Sequence, residues 1–521
     1  MKQHKNRFFN TTGPCNPEDH YMLPPEERLV GAQLHRYIED KLYWVLHAPR
    51  QTGKTTFLQS WMRKINTDNK AVSCYVSVER CQGLTEPGKA MPALRNAIRK
   101  YAHGYKLPEP QAGTNDPASM LSETLVNWAE LTAPKPLIVL FDEVDVLTGD
   151  ALISFLRQLR DGFADRGAGK FPVSIALVGM RDLKDYITAA KGGVPVNPGS
   201  PFNIKADSAF LGNFDKDDIE RLFAQRTAET GQQITAEALN YVYEQSRGQP
   251  WIVNSLFQRA TMRILDESGT ETVTVEHILE AREQMILARE THLDALAYRL
   301  EDPQIRIVME TLMTGEPDPL LAQGEPFRLC LDLGLVALEE GTPQVANPIY
   351  REVIARQMTY STQLAIPKPE WKWAKSDGTL DVDSLLKEFQ IFWRNNSEAW
   401  EDRMNYPEAF PHLLLMAFLQ RVTNGEGRIE REYAAGRGRM DLAIEYKGVW
   451  NIIEVKLLRK NRSFDKVKEE GLKQVCQYRE RIDPAASAYL VIFDRRPDKP
   501  EWSERLTWDS SGYSAVTVVG C

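Results

Sequence analysis

The stretch from Ala48 to Thr55, A-P-R-Q-T-G-K-T, directly follows the apolar run Tyr43 to His47 and constrains the fold of this chain more than any other feature. A loop that leaves a buried strand and enters a helix can point several backbone N–H groups at phosphate oxygens, and the helix N-terminus adds the positive end of its dipole. Here the loop is Pro49, Arg50, Gln51, Thr52 and Gly53. Lys54 is placed to reach the β- and γ-phosphates, the Thr55 hydroxyl to hold Mg²⁺, and Thr56 to complete the nucleotide-contacting run. The pattern G-x-x-x-x-G-K-T is met except at its first position, where Ala48 replaces glycine. That replacement matters if the position needs a positive φ, which only glycine takes freely.

A second element supports the first. Leu137-Ile-Val-Leu-Phe-Asp142-Glu143 is an apolar strand ending in two acids. Asp142 is expected to bind Mg²⁺ and Glu143 to polarise the attacking water. No N-K-x-D sequence is present, which favours ATP over GTP. Arg181, a few residues after the strand Val173 to Val178, is a candidate sensor of the γ-phosphate.

Short strands alternate with helix-length connections from Arg28 to about Phe210: Tyr43 to His47, Ala71 to Val78, Leu137 to Phe141 and Val173 to Val178. This order predicts an α/β fold with a doubly wound parallel sheet. A chain of 521 residues exceeds what one core supports, so further domains are expected. The boundaries read as 1–28 for a nucleotide-proximal segment, 29–212 for the α/β core, 213–290 for a helical lid, 291–362 for a winged helix, 363–385 for a linker and 386–521 for a last α/β domain. In the winged helix, strands are expected at Leu333 to Leu338 and Gln344 to Ala346.

With a net charge of −8, any nucleic-acid contact must be a local patch. The longest apolar runs are too short for a membrane helix, and no apolar stretch follows the basic N-terminus, so a cytoplasmic location is expected. The six cysteines form no C-x-x-C pair, which fits reduced thiols.

The richest stretch for chemistry is Asp441-Leu-Ala-Ile-Glu-Tyr-Lys-Gly-Val-Trp-Asn-Ile-Ile-Glu454-Val-Lys456. Lys447-Gly448 reads as a two-residue hairpin loop between alternating strands. That register sets Asp441 opposite Glu454, places Lys456 on the face of Glu454, and turns Ile453 and Val455 the other way into a core. Directly opposed acids repel, and a divalent cation between them removes the conflict. Asp441, Glu454 and the Val455 carbonyl would hold Mg²⁺ or Mn²⁺, with Lys456 orienting water or stabilising charge for phosphodiester hydrolysis. Arg459, Lys460, Arg462, Lys466 and Lys468 follow with only Asp465 opposing them in the sequence, a candidate phosphate-binding patch. Alternatively the acids pair with Arg437, Arg439 and Lys456 on a surface hairpin.

Two resemblances follow from these motifs. Residues Phe9 to Met358, through Gly248-Gln-Pro250, the leading segment Phe9 to Tyr21 and the G-K-T and D-E elements, resemble the signal-transducing and archaeal-type ATPases of the AAA superclass. This resemblance implies ATP-Mg²⁺ as ligand, a winged helix after the lid, self-association, and an arginine acting in trans, for which Arg157 and Arg160 are candidates. About Tyr406 to Phe493 resembles the PD-(D/E)XK nuclease superfamily: Asp441 matches the first acid, although Met440 stands where proline is usual, and Glu454-Val-Lys456 matches E-x-K. Glu408 stands where relatives carry an upstream acid, Glu432 is another possible ligand, and Gln474-Val-Cys-Gln-Tyr478 is similar to the Q-x-x-x-Y helix of resolvase-like members. Together the resemblances imply an ATP-dependent or ATP-regulated DNA nuclease, possible RNA substrates remaining open, in defence against invading DNA or in DNA processing. The alternative is a regulatory ATPase whose last domain only recognises nucleic acid or a partner.

Overall fold

The computed structural model describes all residues except 1–6, 32, 112, 181–204, 266–268, 270, 289–290, 315–323, 366–374, 376, 402–409, 424–426, 431–441, 459–461, 497–499 and 511–515. The chain forms two compact units, one of residues 1–290 with 328–337, the other of 291–327 with 338–521. The expected winged-helix and last domains therefore share the second unit, apart from 328–337. No helix among the described residues is long and apolar enough to cross a membrane, and all six cysteines are free.

The first unit is built on a six-stranded sheet, taken in chain order as β1 (Leu29–Val30), β2 (Tyr43–His47), β3 (Val72–Ser77), β4 (Leu137–Asp142), β5 (Ser174–Gly179) and β6 (Lys205–Leu211). Its spatial order is β1-β6-β2-β5-β4-β3, parallel throughout except for β1 on the edge. β4 and β5 are buried along their whole length because helices cover both faces, as a parallel sheet requires. One face packs against α3 (Pro87–Gly104), α4 (Met120–Thr132) and α5 (Gly149–Asp161), through Leu94, Trp128 and Phe155 among others. The other packs against α1 (Leu34–Glu39) and α2 (Lys54–Asp68), through Tyr37, Phe57 and Trp61. Sequence periodicity does not indicate β6, whose Lys-Ala-Asp-Ser start lacks an apolar run.

The lid comprises α6 (Lys216–Thr230), α7 (Ala236–Ser246), α8 (Pro250–Arg259), continued by a π-turn over Ala260–Ile264, and α9 (Val275–Leu287). Asp215 caps α6 in a reciprocal box with Asp218, and Pro250 starts α8, where its missing N–H costs nothing.

Next come α10 (Thr291–Arg299), α11 (Pro303–Thr314), α12 (Glu325–Asp332) and a hairpin of β7 (Val336–Glu339) and β8 (Thr342–Val345). The first of these strands starts three residues later than the expected Leu333, because α12 runs to Asp332 and Gly334 turns the chain at φ +70. The supposed linker 363–385 is helical at both ends, inside α13 (Pro348–Ala365) and α14 (Val382–Glu401). Its prolines, Pro367 and Pro369, lie outside the described residues.

The second unit adds α15 (Phe410–Thr423), β9 (Gly427–Glu430), β10 (Leu442–Tyr446), β11 (Val449–Leu458), α16 (Phe464–Ile482), β12 (Ser487–Asp494), α17 (Trp502–Arg505), β13 (Trp508–Asp509) and β14 (Val516–Gly520). The sheet order is β13-β14-β12-β11-β10-β9. β9, β10 and β11 form an antiparallel meander, whereas β12 joins β11 in parallel through α16. Ile444, Ile453 and Val455 face a core with Phe389, Leu415 and Ala355. Ala443 and Ile452 face a second core with Val467, Val475 and Tyr478 of α16.

Candidate functional site

The phosphate loop answers the question raised by Ala48. Ala48 is fully buried and is not among the residues with positive φ; its N–H donates to Gly179 O at 3.3 Å. The left-handed positions are instead Gln51 (φ 57) and Gly53 (φ 95). Methylating position 48 is therefore harmless, and the backbone cost moves to Gln51. Thr52 is buried and its Oγ1 donates to Pro49 O at 2.9 Å, closing the loop on itself. Lys54 Nζ donates to Ala48 O and Pro49 O, both at 2.7 Å, so the ammonium lies across the mouth of the loop. Burial pulls Lys54 down to about 8, with Asp142 and Asp145 opposing the shift. The Pro49 ring also abuts Gly334, where a Cβ would come within 2.5 Å of it. Arg50 and Gln51 are exposed.

β4 delivers the acids. Asp142 is 1% exposed; its Oδ2 accepts from Thr55 Oγ1 at 2.7 Å and Tyr75 Oη at 3.2 Å, and its Oδ1 from the Glu143 N–H at 2.9 Å. The two residues expected to hold Mg²⁺ are thus in contact, although β5 separates β4 from β2, the strand that leads into the loop and α2. Their hard oxygen donors fit that ion. Glu143 sits at φ 61, and its Oε2 accepts from Ser77 Oγ at 2.7 Å. Desolvation raises the carboxyls of Asp142, Glu143 and Asp145 above their ordinary range, opposed at Asp142 by the Thr55 hydrogen bond and Lys54.

Several of these residues carry no signal in the sequence. Ser77 reaches Glu143 because parallel pairing sets Ser77 beside Asp142. Asp145 lies against Gly179 at the end of β5, close enough for its Oδ1 to be 3.3 Å from a Cβ built there. The D-E-x-D spacing could have flagged it. Gln249 caps α8 by accepting the Ile252 N–H at 2.7 Å, and its Nε2 donates to Gln51 O at 3.5 Å, so the G-Q-P element meets the loop itself. Thr56 Oγ1 accepts the Cys15 N–H at 3.0 Å, tying the leading segment to α2. Arg157 and Arg160 are exposed on α5. Arg181 lies outside the described residues.

In the second unit the described hairpin follows the expected register, from Leu442↔Ile453 to Tyr446↔Val449, around Lys447 (φ 49) and Gly448 (φ 80). These angles are those of a two-residue turn that matches strand twist. Glu454 is 0% exposed on β11, and its Oε1 accepts from Lys456 Nζ at 2.6 Å. Its backbone neighbour across the sheet is Leu490 of β12. Gln474 lies on α16, which covers the same face; its Oε1 is enclosed without a hydrogen-bond partner among the described residues. Asp441, Glu408, Glu432, Arg437 and Arg439 lie outside the described residues. Among the described residues no group of three or more His, Cys, Asp or Glu could hold a metal ion.

The basic run is less open than its sequence suggests. Arg462 pairs with Glu470 at 3.2 Å and Lys468 with Asp509 at 3.1 Å, so Asp465 is not the only opposing charge. Glu470 lies just past the end of the run, and Asp509 is brought in from a strand too far along the chain for a local charge count to include. Arg459 and Lys460 lie outside the described residues.

Residues 38–187 match the family described as AAA domain. No curated protein matches the chain. Among solved structures, the Walker-type ATPase PABY2304 of Pyrococcus abyssi is similar at 14% identity and a TM-score of 0.48, over 66% of this chain and 99% of that one. Cdc6p from Pyrobaculum aerophilum is similar at 13% identity and a TM-score of 0.34, over 63% and 91%. The Thermotoga maritima RuvB Holliday junction branch migration motor is similar at 15% identity and a TM-score of 0.33, over 61% and 90%. The family match and the loop, with its Thr55–Asp142 contact, agree on the same residues: the chain carries an AAA-type P-loop ATPase domain.

Proposed function

We propose that the chain is an ATP-regulated, divalent-metal-dependent DNA nuclease in which the AAA-type domain controls phosphodiester hydrolysis by the C-terminal unit. The observation that carries this reading is Glu454, a wholly buried carboxylate on a central strand, 2.6 Å from Lys456 of the same strand. A buried ion pair contributes little net stability, because desolvation offsets attraction. Its place in an E-x-K sequence after a tight hairpin therefore argues for chemistry. The meander β9-β10-β11 followed by α16 and parallel β12 supplies the scaffold that the PD-(D/E)XK resemblance implies.

In this reading Asp441, Glu454 and the Val455 carbonyl hold Mg²⁺ or Mn²⁺, which supplies Lewis-acid activation of the scissile phosphate. Lys456 orients water or stabilises developing charge, with Glu408 and Gln474 assisting. Thr55 and Asp142 hold the nucleotide's Mg²⁺, Glu143 polarises the attacking water and Arg181 senses the γ-phosphate. Residues 291–362 act as a winged helix, the chain self-associates, and Arg157 or Arg160 reaches a neighbouring copy's nucleotide. Defence against invading DNA, or DNA processing, is the setting such a fusion suits.

One observation favours a second reading, in which the last unit only recognises nucleic acid or a partner. Glu470 and Asp509 neutralise Arg462 and Lys468, which weakens the patch for phosphate. A panel of duplex, single-stranded and branched DNA and RNA, with Mg²⁺ or Mn²⁺ and with or without ATP, separates the two. Cleavage of DNA that disappears in Glu454→Ala and Lys456→Ala, with ATP hydrolysis kept, is expected. No cleavage of any substrate by the wild-type chain would overturn the nuclease reading.

A further inference from the structure

Arg28 is not part of the nucleotide motif, yet its side chain touches the phosphate loop. It ends a short 3-10 turn (Pro25–Arg28) that leads into β1. Its Nη2 donates to Thr52 O at 2.9 Å and its Nη1 to Gly212 O at 2.7 Å. The Arg28 carbonyl in turn accepts the Gly212 N–H at 2.9 Å, and the guanidinium lies over the Phe214 ring, 4.8 Å from its centroid. Nε is enclosed without a hydrogen-bond partner among the described residues. Both acceptors are backbone carbonyls, so the fork is spent on positioning backbone and not on an acidic side chain.

The consequence follows from peptide geometry. In a planar trans peptide the C=O and the next N–H point in opposite directions. Holding Thr52 O toward Arg28 aims the Gly53 N–H away from it. Gly53 is, with Gln51, one of the loop's two left-handed residues, and a Cβ there would come within 3.0 Å of Arg28 Nη2. Gln249 Nε2 grips the preceding carbonyl, Gln51 O, in the same way and so orients the Thr52 N–H. Both grips lead to the root of the lid: Gly212 and Phe214 precede α6, the Phe214 N–H donates to Gly248 O at 2.8 Å, and Gly248 adjoins Gln249. All of these residues lie within the first unit.

We infer that Arg28 is a positioning residue for the phosphate loop, fixing the Thr52–Gly53 peptide so that its N–H faces the nucleotide phosphates and tying that peptide to the lid root through Gly212 and Phe214. The inference goes beyond the nuclease reading and stands without it. A lysine keeps the charge but has no planar fork with which to hold both carbonyls at once.

The test measures ATP and adenosine affinity, by competition with a fluorescent ATP analogue, in the full-length wild type, Arg28→Ala and Arg28→Lys, with hydrogen exchange read at the amides of Phe214 and Gly248. Arg28→Ala is expected to weaken ATP by tenfold or more while adenosine changes less than threefold, since only the phosphates meet the affected N–H. Arg28→Lys is expected to fall between, and to lose the slowing of exchange that ATP causes at Phe214 and Gly248. Wild-type ATP affinity in both variants, or equal weakening of ATP and adenosine, would overturn the inference. Should Arg28→Ala fail to fold, Arg28→Lys decides it alone: wild-type affinity and wild-type protection would overturn it.

Discussion

Each unit buries a carboxylate on an interior strand of a six-stranded sheet, but the two are held in different ways. Asp142 stands at the end of β4 and accepts hydrogen bonds from two hydroxyls and an amide, while Glu143 beside it accepts from Ser77. Glu454 stands in mid-strand, with apolar residues on either side along β11, and accepts from the ammonium of Lys456. Neutral donors orient an acid without pairing its charge directly, as a role for Asp142 in holding the nucleotide's cation would require. An ammonium two residues away balances that charge, so the metal proposed at Glu454 would have to displace or share it. The first arrangement suits a site filled and emptied in each cycle, the second a site whose charge is balanced when no ion is bound.

The comparison breaks most clearly at the acids themselves. Lys54→Ala and Asp142→Asn should each lower ATP hydrolysis by about a hundredfold or more, the scale expected for losing a transition-state charge stabiliser. Glu454→Gln, a change in the other unit, should leave hydrolysis within about twofold. A steady-state ATPase assay reads both, and loss of hydrolysis in Glu454→Gln would show that the two sites are not independent.

Removing a partner tests the contrast next. Lys456→Met leaves Glu454 buried without its ammonium and should cost about 3–5 kcal/mol in a denaturant titration. The double change Glu454→Gln with Lys456→Met should recover most of that. Addition of Mg²⁺ should raise the midpoint of Lys456→Met more than that of the wild type if Glu454 is a metal ligand. A denaturation midpoint indifferent to Mg²⁺ would count against that role.

Backbone approach separates the units less strongly. At Gly248 (φ +74) a Cβ would fall 1.8 Å from Phe214 O, which is backbone and cannot swing away, whereas at Gly471 it would meet Leu490 Cδ1 at 2.5 Å. Gly248→Ala should therefore destabilise the lid by about 3 kcal/mol or more, and Gly471→Ala by about 1–3 kcal/mol. Equal shifts in unfolding midpoint would show that the lid root yields as readily as a leucine side chain.

Ser77→Ala should have the smallest effect on stability, about 1 kcal/mol for a lost neutral hydrogen bond. It frees Glu143, so basal ATP hydrolysis should rise. A fall in the rate would mean that Ser77 holds Glu143 in its working position.

Features set by neighbours in the chain are legible in the order of amino acids alone. The strand-loop-helix at Tyr43 to Thr56 and the apolar strand before Asp142 depend on local periodicity and on glycine and lysine at fixed spacing. The hairpin register around Lys447-Gly448 depends on a two-residue turn. Charge along the basic run misleads, because Glu470 and Asp509 answer Arg462 and Lys468 through a helix and a neighbouring strand.

By itself the sequence determined which segments alternate between strand and helix, where a phosphate loop forms, and which strands end in acids, because these follow from contacts among near neighbours. Only the tertiary structure decided that β5 lies between β2, which leads into the phosphate loop, and β4, and that Thr55 of α2 still meets Asp142. It alone set Ser77 beside Glu143, moved the strained backbone position from Ala48 to Gln51, and brought Arg28 and Gln249 onto consecutive carbonyls of one loop. The reason is physical: the order of parallel strands and the grip of distant side chains on backbone carbonyls arise from packing between segments far apart in the chain, which no local spacing records.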